Sequence, residues 1–340
     1  MTLFVGLDVS VKTTAICIVE AAGKGVAELT VDSSPEAISE QLQLQHEPIE
    51  RVGLEAGALS EWIYAGLVDA GWPAICVETR HMHAVLAARI NKTDRNDARG
   101  IAQMMRVGLF KAVHVKTPAS RHRRLLLTSR KLLQRKIYDI ENDLRGSLRT
   151  FGLKIGMVAS SKFEARVREL VDRHPIIATI IEPLLEARAV LRAQFAKLHR
   201  MLLELVRADP VCRRLMSAPG VGPVVALTFR TCVDNPARFS RSKCVGAHYG
   251  LTPRVYQSGE VNRTGRISRC GGVMLRSSLY EAALVILTGR TRWNPLKAWG
   301  IAIARRRGIQ RAMVAVARKL AIILHRMWRS DTDFRWTAAA

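Results

Sequence analysis

Ser258 stands in a run from Gly250 to Arg276, GLTPRVYQSGEVNRTGRISRCGGVMLR, that surrounds one hydroxyl with arginines and glycines. A serine oxygen can attack phosphorus, and forked guanidinium groups can hold the oxygens of the phosphate under attack. Arg254, Arg263, Arg266, Arg269 and Arg276 are the candidate phosphate contacts; Gly259, Gly265, Gly271 and Gly272 let backbone come close to a ligand. On residue types alone, a basic loop that binds nucleic-acid backbone without chemistry is the better fit, and it is the rest of the chain that reverses this. A second set is acidic: Asp8, Glu55, Asp94 and Asp97. Four carboxylates converging from separate elements repel one another unless divalent cations lie between them, and hard oxygen ligands suit magnesium or manganese. Two such ions can activate an attacking oxygen and stabilise a leaving one in phosphoryl transfer. Taken singly, Asp8 could simply end a strand and Asp94 cap a helix.

The acids must be held by the elements around them. Residues 2 to 32 contain three β-rich runs, TLFVGLDVS, TTAICIVEAAG and GVAELTVDSS, separated by short breaks, which predicts an antiparallel meander. A helix is expected from Pro35 to about Leu44, a strand over Val52 to Glu55, a helix over Ser60 to Asp69, and a strand over Ala74 to Glu78. A helical pattern follows, with breaks, from about His81 to Arg106. Three antiparallel strands followed by alternating helix and parallel strand is the element order of the ribonuclease H-like fold. It sets Asp8 and Glu55 at strand ends and puts Asp94 and Asp97, three residues apart, on one helix face. GLDVSVKTTAICIV also fits the first phosphate loop of sugar kinases and actin-like ATPases, but no second Gly-rich phosphate segment or adenosine pocket accompanies it.

The chain of 340 residues carries a net charge of +24. Residues 1 to 115 hold 10 Lys+Arg and 14 Asp+Glu, net −4, so the remaining 43 and 15 give residues 116 to 340 a net +28. Phosphate backbones are the usual polyanion that neutralises such an excess, with a membrane surface as the rival. The longest apolar run, MVAVARKLAIIL from Met313, is broken by Arg318 and Lys319, so no membrane span is expected. Asp8 interrupts the first apolar run, which argues against a signal peptide. The six cysteines form no C-x-x-C pair and no zinc spacing with the histidines, which points to thiols in a reducing cytosol.

Between the acidic and serine regions, Leu133, Ile137, Ile140, Leu144, Leu148 and Phe151 recur at helical spacing, as do Leu184, Leu191, Phe195, Leu198, Leu202 and Leu205. Two long helices forming a hairpin or coiled coil are expected, packed within one monomer or across a subunit interface. The basic residues Arg121, Arg123, Arg124, Arg130, Lys131, Arg135 and Lys136 form a candidate nucleic-acid face. At Ser217 to Ala226 the sequence SAPGVGPVVA places Gly220 and Gly222 where a helix-hairpin-helix turn would offer backbone amides to phosphate; an ordinary helix turn reads the same way.

GLDVS, LEAG, KTDRNDA, PGVG, GLTPRVYQSG and RTGRISRCGGVMLR, in this order and across nearly the whole chain, resemble the DEDD transposases of bacterial insertion sequences, the group called insertion sequence one-ten. The resemblance implies an amino-terminal domain (1–115) similar to the Holliday-junction resolvase RuvC, with its four acids at Asp8, Glu55, Asp94 and Asp97. It further implies a coiled-coil or helical-hairpin middle (116–208) and a mainly helical transposase domain (209–340) whose nucleophile is Ser258. It implies a covalent phosphoserine link to DNA, homodimers or homotetramers, a structured bridge RNA that pairs with donor and target DNA, and a cytoplasmic, nucleoid-associated location. Glu260 and Arg269-Cys270 depart from the family's local pattern. The alternative is a resolvase-type nuclease in which the acids alone hydrolyse DNA; a nonenzymatic nucleic-acid scaffold is the third possibility, against which the four intact acids argue.

Overall fold

The computed structural model describes residues 2–86, 93–289 and 291–336. The chain divides into two compact units, Met1–Lys116 and Thr117–Ala340.

The first unit is built on β1 (Leu3–Val9), β2 (Thr13–Glu20), β3 (Gly25–Asp32), α1 (Pro35–Gln43), β4 (Ile49–Glu55), α2 (Ser60–Asp69), β5 (Ala74–Val77), α3 (Thr79–Leu86) and α4 (Asp94–Val107). The strands form one sheet in the order β3-β2-β1-β4-β5; β2 is antiparallel to β1 and β3, while β4 lies parallel to β1 and β5. The expected meander and parallel strands are therefore both present. Part of the helical pattern expected from His81 to Arg106, residues 87–92, lies outside the described residues; α3 and α4 flank it.

β1 is the central strand, and both of its faces are covered, so it reads as a nearly continuous apolar run. Leu3, Val5 and Leu7 pack with Val52 and Leu54 of β4 beneath α1 and α2. Phe4 and the opposite face pack with Ala98, Ile101, Ala102 and Met105 of α4. Gly6 is what allows α4 to sit so close: a Cβ there would meet the Ala98 carbonyl oxygen at 2.2 Å and the Ala102 nitrogen at 2.3 Å.

The second unit contains α5 (Pro118–Thr150), α6 (Phe163–Val171), α7 (Pro175–Ala208), α8 (Pro210–Leu215), α9 (Pro223–Val233), α10 (Lys243–His248), β6 (Pro253–Ser258), β7 (Val261–Ile267), α11 (Val273–Thr288), α12 (Pro295–Arg307) and α13 (Ile309–Ser330). α5 and α7 run antiparallel. Leu144 and Leu148 meet Ile181 and Leu185 beside α6, while Leu126 and Leu127 join Leu202 and Val206 in the core of α9, α11 and α13. The apolar stripes differ from expectation at their ends: Phe151 is 62% exposed because it caps α5 beyond the packed turns, and Leu205 is 41% exposed, its place in the core being taken by Val206. Midway, Arg188 is fully buried and bonds Glu141, Glu164 and the backbone and hydroxyl of Ser160. A long apolar-striped helix pair is thus interrupted by one ionic cluster.

Asp234 fixes the start of the second unit. Its carboxylate accepts from the Thr117 amide at 3.0 Å, the Thr117 hydroxyl at 2.7 Å and the Ser120 hydroxyl. No helix among the described residues is long and apolar enough to cross a membrane.

Candidate functional site

In the first unit, parallel pairing sets Leu7 of β1 opposite Leu54 of β4, so the next residues, Asp8 and Glu55, stand side by side at the carboxyl ends of neighbouring strands. Leu7 and Leu54 point into the α1/α2 core. By the alternation of a strand, Asp8 and Glu55 face the other way, toward α4. Both are half-buried. α4 begins at the same edge, because its first turns precede Ala98, which covers Gly6. Thr93 caps it by accepting from the Asn96 amide at 3.2 Å, leaving Asp94 exposed and Asp97 half-buried in the first turn, where the helix dipole favours negative charge. The four acids therefore share one edge and one face. Among the described residues, however, no three His, Cys, Asp or Glu side chains are gathered closely enough to hold a metal ion. The donor set is nevertheless all carboxylate oxygen, the chemistry that suits hard divalent cations.

Two features of this edge escape the sequence reading. Glu28 on β3 accepts from both Arg95 and Arg99 of α4, lashing the acid-bearing helix to the sheet. Burial would raise the Glu28 carboxyl, but the hydrogen bonds and charges of the two arginines outweigh it and hold it below its ordinary value. Glu78, just after β5, pairs with Lys111 at 2.6 Å, and that hydrogen bond draws its carboxyl down. Thr79 donates to the Ala56 carbonyl at 2.9 Å, joining the ends of β5 and β4. A strand-end acid followed by a hydroxyl was the available signal for the second feature. The Glu28 clamp pairs residues 67 and 71 positions apart and has no local signature.

In the second unit, the Ser258 region is a hairpin of two strands, an element the glycine-rich and basic composition concealed. Ser258 ends β6 and pairs with Val261 across a two-residue turn, Gly259-Glu260. Gly259 takes φ +54, the positive value that turns of this length require at their first central position. All of β6 and most of β7 are exposed, Ser258 included. Strand alternation places Arg254 and Tyr256 on the face of Ser258, and the Tyr256–Arg263 pairing adds Arg263 to it. Of the two arginines, Arg263 sits in regular pairing next to the serine end, whereas Arg254 lies where the register shifts between Pro253 and Val255 and donates to the Ser268 carbonyl at 3.2 Å.

The remaining candidates fall elsewhere. Arg266 and Arg269 line an open cleft of about 1730 Å³ at the foot of the hairpin. Arg276 borders that cleft too, but it donates to the Tyr249 carbonyl at 3.2 Å and the Cys270 carbonyl at 3.1 Å, so it braces the hairpin base. Gly220 lies in the turn between α8 and α9 at φ +72, and a Cβ there would meet the Ala282 carbonyl oxygen at 2.6 Å. It serves helix packing. Gly222, in contrast, is exposed at the start of α9. Of the basic face on α5, Arg123 pairs with Asp209 at 3.3 Å and Arg130 lies over Phe195 at 4.5 Å, whereas Arg124, Lys131 and Arg135 face solvent.

An acid-edged mixed sheet joined to a strongly basic helical unit is the make-up of an enzyme that acts on nucleic acid, and relatives of the chain make it a DNA transposase. A model described as "Transposase IS116/IS110/IS902 family" matches residues 212–298, and one for the DEDD transposases of the IS110 group, described as "Transposase", matches residues 5–152. The "Transposase for insertion sequence element IS1111A" of Coxiella burnetii is 27% identical over 336 residues, covering 97% of this chain and 90% of its own. The "Putative transposase y4pF/y4sB" of Sinorhizobium fredii is 30% identical over 255 residues, covering 72% of this chain and 64% of its own. Among solved structures, T. thermophilus RuvC in complex with Holliday junction substrate aligns with 33% of this chain and 100% of its own, at 14% identity and a TM-score of 0.26. The chain belongs to the IS110 family of transposases.

Proposed function

We propose that this transposase cleaves and rejoins DNA with Ser258 as nucleophile and with Asp8, Glu55, Asp94 and Asp97 holding divalent metal, magnesium or manganese. The observation that carries the serine assignment is its exposure at the end of β6, on one hairpin face with Arg263. The Ser258 oxygen bonds to phosphorus as a backbone P–O bond breaks; the hydroxyl proton leaves and the departing DNA oxygen gains one. Arg254 and Arg263 hold the phosphate oxygens, favouring the pentavalent state in which charge on them is greatest. The cation, held by the acids, would supply Lewis-acid stabilisation to phosphoryl oxygen. Asp97 and Asp94 depend for their position on the close seat of α4 and on the Glu28 clamp.

The resemblance of the motif series and the net +28 after residue 115 support a bridge RNA that supplies base pairing while the protein holds backbone. Arg266, Arg269 and the exposed amide side of Gly222 are further backbone contacts in this reading, and the α5/α7 pair, within 116–208, is the element through which dimers or tetramers form. A resolvase-type nuclease, using the acids alone, is the competing reading because those acids share an edge by themselves.

Denaturing gels of the protein with its element's RNA, labelled donor and target DNA and magnesium separate the two. A protein-DNA adduct that is lost in both Ser258→Ala and Asp8→Ala is the expected result. Free cleaved ends that persist in Ser258→Ala and vanish in Asp8→Ala would establish the nuclease instead.

A further inference from the structure

The cleft at the hairpin foot is walled by β7, α11, α12 and α13, and Ser258 is not part of its lining. Eight Lys and Arg residues line it against a single carboxylate, Glu281. Arg307, Arg311, Arg318 and Lys319 are exposed, and among the described residues the ion pairs of this unit, Arg123–Asp209, Arg188–Glu141 and Arg214–Asp331 among them, lie elsewhere. Its positive charge is therefore left for a ligand. α13 sets the pattern: Ala312, Met313, Val316, Ala317 and Leu320 enter the core, which turns Arg311, Arg318 and Lys319 outward.

The lining is not charge alone. Trp299, 37% exposed, stands in the wall with Lys319 at 4.3 Å from its ring centroid. Tyr280 and the apolar side chains of Val314 and Ile322 lie between the cations. A duplex offers such a surface phosphates, sugars and the edges of its bases, but not the base faces, which are stacked inside. A single strand presents both a phosphate chain and the faces of its bases, and grooves that hold single strands combine cations with aromatic platforms.

We propose that this cleft is a binding site for a single-stranded segment of nucleic acid, with Arg311 and Arg318 on phosphates and Trp299 against a base. The inference rests on the family's action on DNA, and is independent of whether Ser258 is the nucleophile. Its ligand chemistry is shared by an unpaired DNA strand exposed during exchange and by an unpaired stretch of RNA.

Fluorescence anisotropy with the full chain, in EDTA so that no strand is cut, tests it. The probes are a labelled DNA single strand of about 12 nucleotides, the RNA of the same sequence, and the DNA duplex. Trp299→Leu should weaken single-strand binding about fivefold or more, the scale of one stacked base, and leave duplex binding unchanged. Arg311→Ala with Arg318→Ala should lower the slope of log affinity against log salt by about 1.4, the share of two phosphate contacts on a single strand. Whichever single strand binds more tightly identifies the source. Equal weakening of duplex and single strands by Trp299→Leu, or no effect of any of these substitutions, would overturn the proposal. Melting temperatures of the variants separate lost contacts from lost folding.

Discussion

Gly6 and Ala98 touch backbone to backbone: an ideal Cβ on Gly6 would stand 2.2 Å from the Ala98 carbonyl oxygen. That contact seats α4 on β1 and brings the start of the helix, with Asp94 and Asp97, to the sheet edge of Asp8 and Glu55. Gly6→Ala should force α4 away from the strand at a cost of about 1–3 kcal/mol, the range for overpacking a core. The expected outcome is a lower melting temperature of the first unit and a higher manganese concentration for half-maximal cleavage. An alanine variant with unchanged metal dependence would refute the link between this contact and the acids.

Arg188 is a fully buried charge of the second unit, with Glu141 at 2.5 Å and Glu164 at 2.6 Å. Arg188→Ala strands two carboxylates and should cost about 3–5 kcal/mol. Replacing all three, as Arg188→Met with Glu141→Gln and Glu164→Gln, should recover most of that, because removing a whole buried ionic cluster is far less costly than breaking it. Urea unfolding measures both. A triple variant no more stable than Arg188→Ala would contradict this account.

Asp234 accepts three hydrogen bonds from Thr117 and Ser120 while its backbone, at φ +63 and ψ −66, forms a γ-turn closed by the Asn235 amide on the Val233 carbonyl at 2.8 Å. Asp234→Ala should destabilise the second unit by about 1–3 kcal/mol, and Asp234→Asn by less, since its amide oxygen can still accept. Hydrogen exchange at the first turn of α5 should quicken in the same order.

His325 is fully buried, its Nδ1 2.9 Å from the Ser242 hydroxyl and its Nε2 2.9 Å from the Pro236 carbonyl oxygen. Burial lowers its affinity for a proton; the Pro236 carbonyl opposes this, and Arg329 adds to it. With the folded value below that of the unfolded chain, the neutral ring contributes stability above the ordinary histidine value of about 6.5, and this contribution is lost as pH falls below it. The melting temperature should drop between pH 7.5 and 5.5, and the drop should be smaller in His325→Gln. Identical slopes would remove His325 from the explanation.

Local pattern makes much of the first unit legible. β1, β2 and β3 are apolar runs broken by turn residues, and the helix carrying the two acids is expected, although Thr93 rather than Asp94 caps it. The hairpin at Pro253–Ile267 has no such signature. Period-two alternation arises when one face is buried, and here nearly every residue of both strands is exposed. Arg188 is misleading for the opposite reason: a charged residue in a helix reads as solvent-facing, and only the carboxylates of α5 and α6 bring it inside. Gly220 reads as a ligand-contact glycine until α11 is seen packed against it.

The sequence by itself determined the order of strands and helices in the first unit, the confinement of positive charge to the part after residue 115, and the ordered motifs that mark the transposase family. These properties are local or additive, so they survive without coordinates. Only the tertiary structure decided that Asp8 and Glu55 stand side by side, that Arg263 shares the face of Ser258, and that Arg311 and Arg318 open onto a cleft with Trp299. Each depends on strand register or helix packing between distant residues, where one step along a strand turns a side chain to the opposite face.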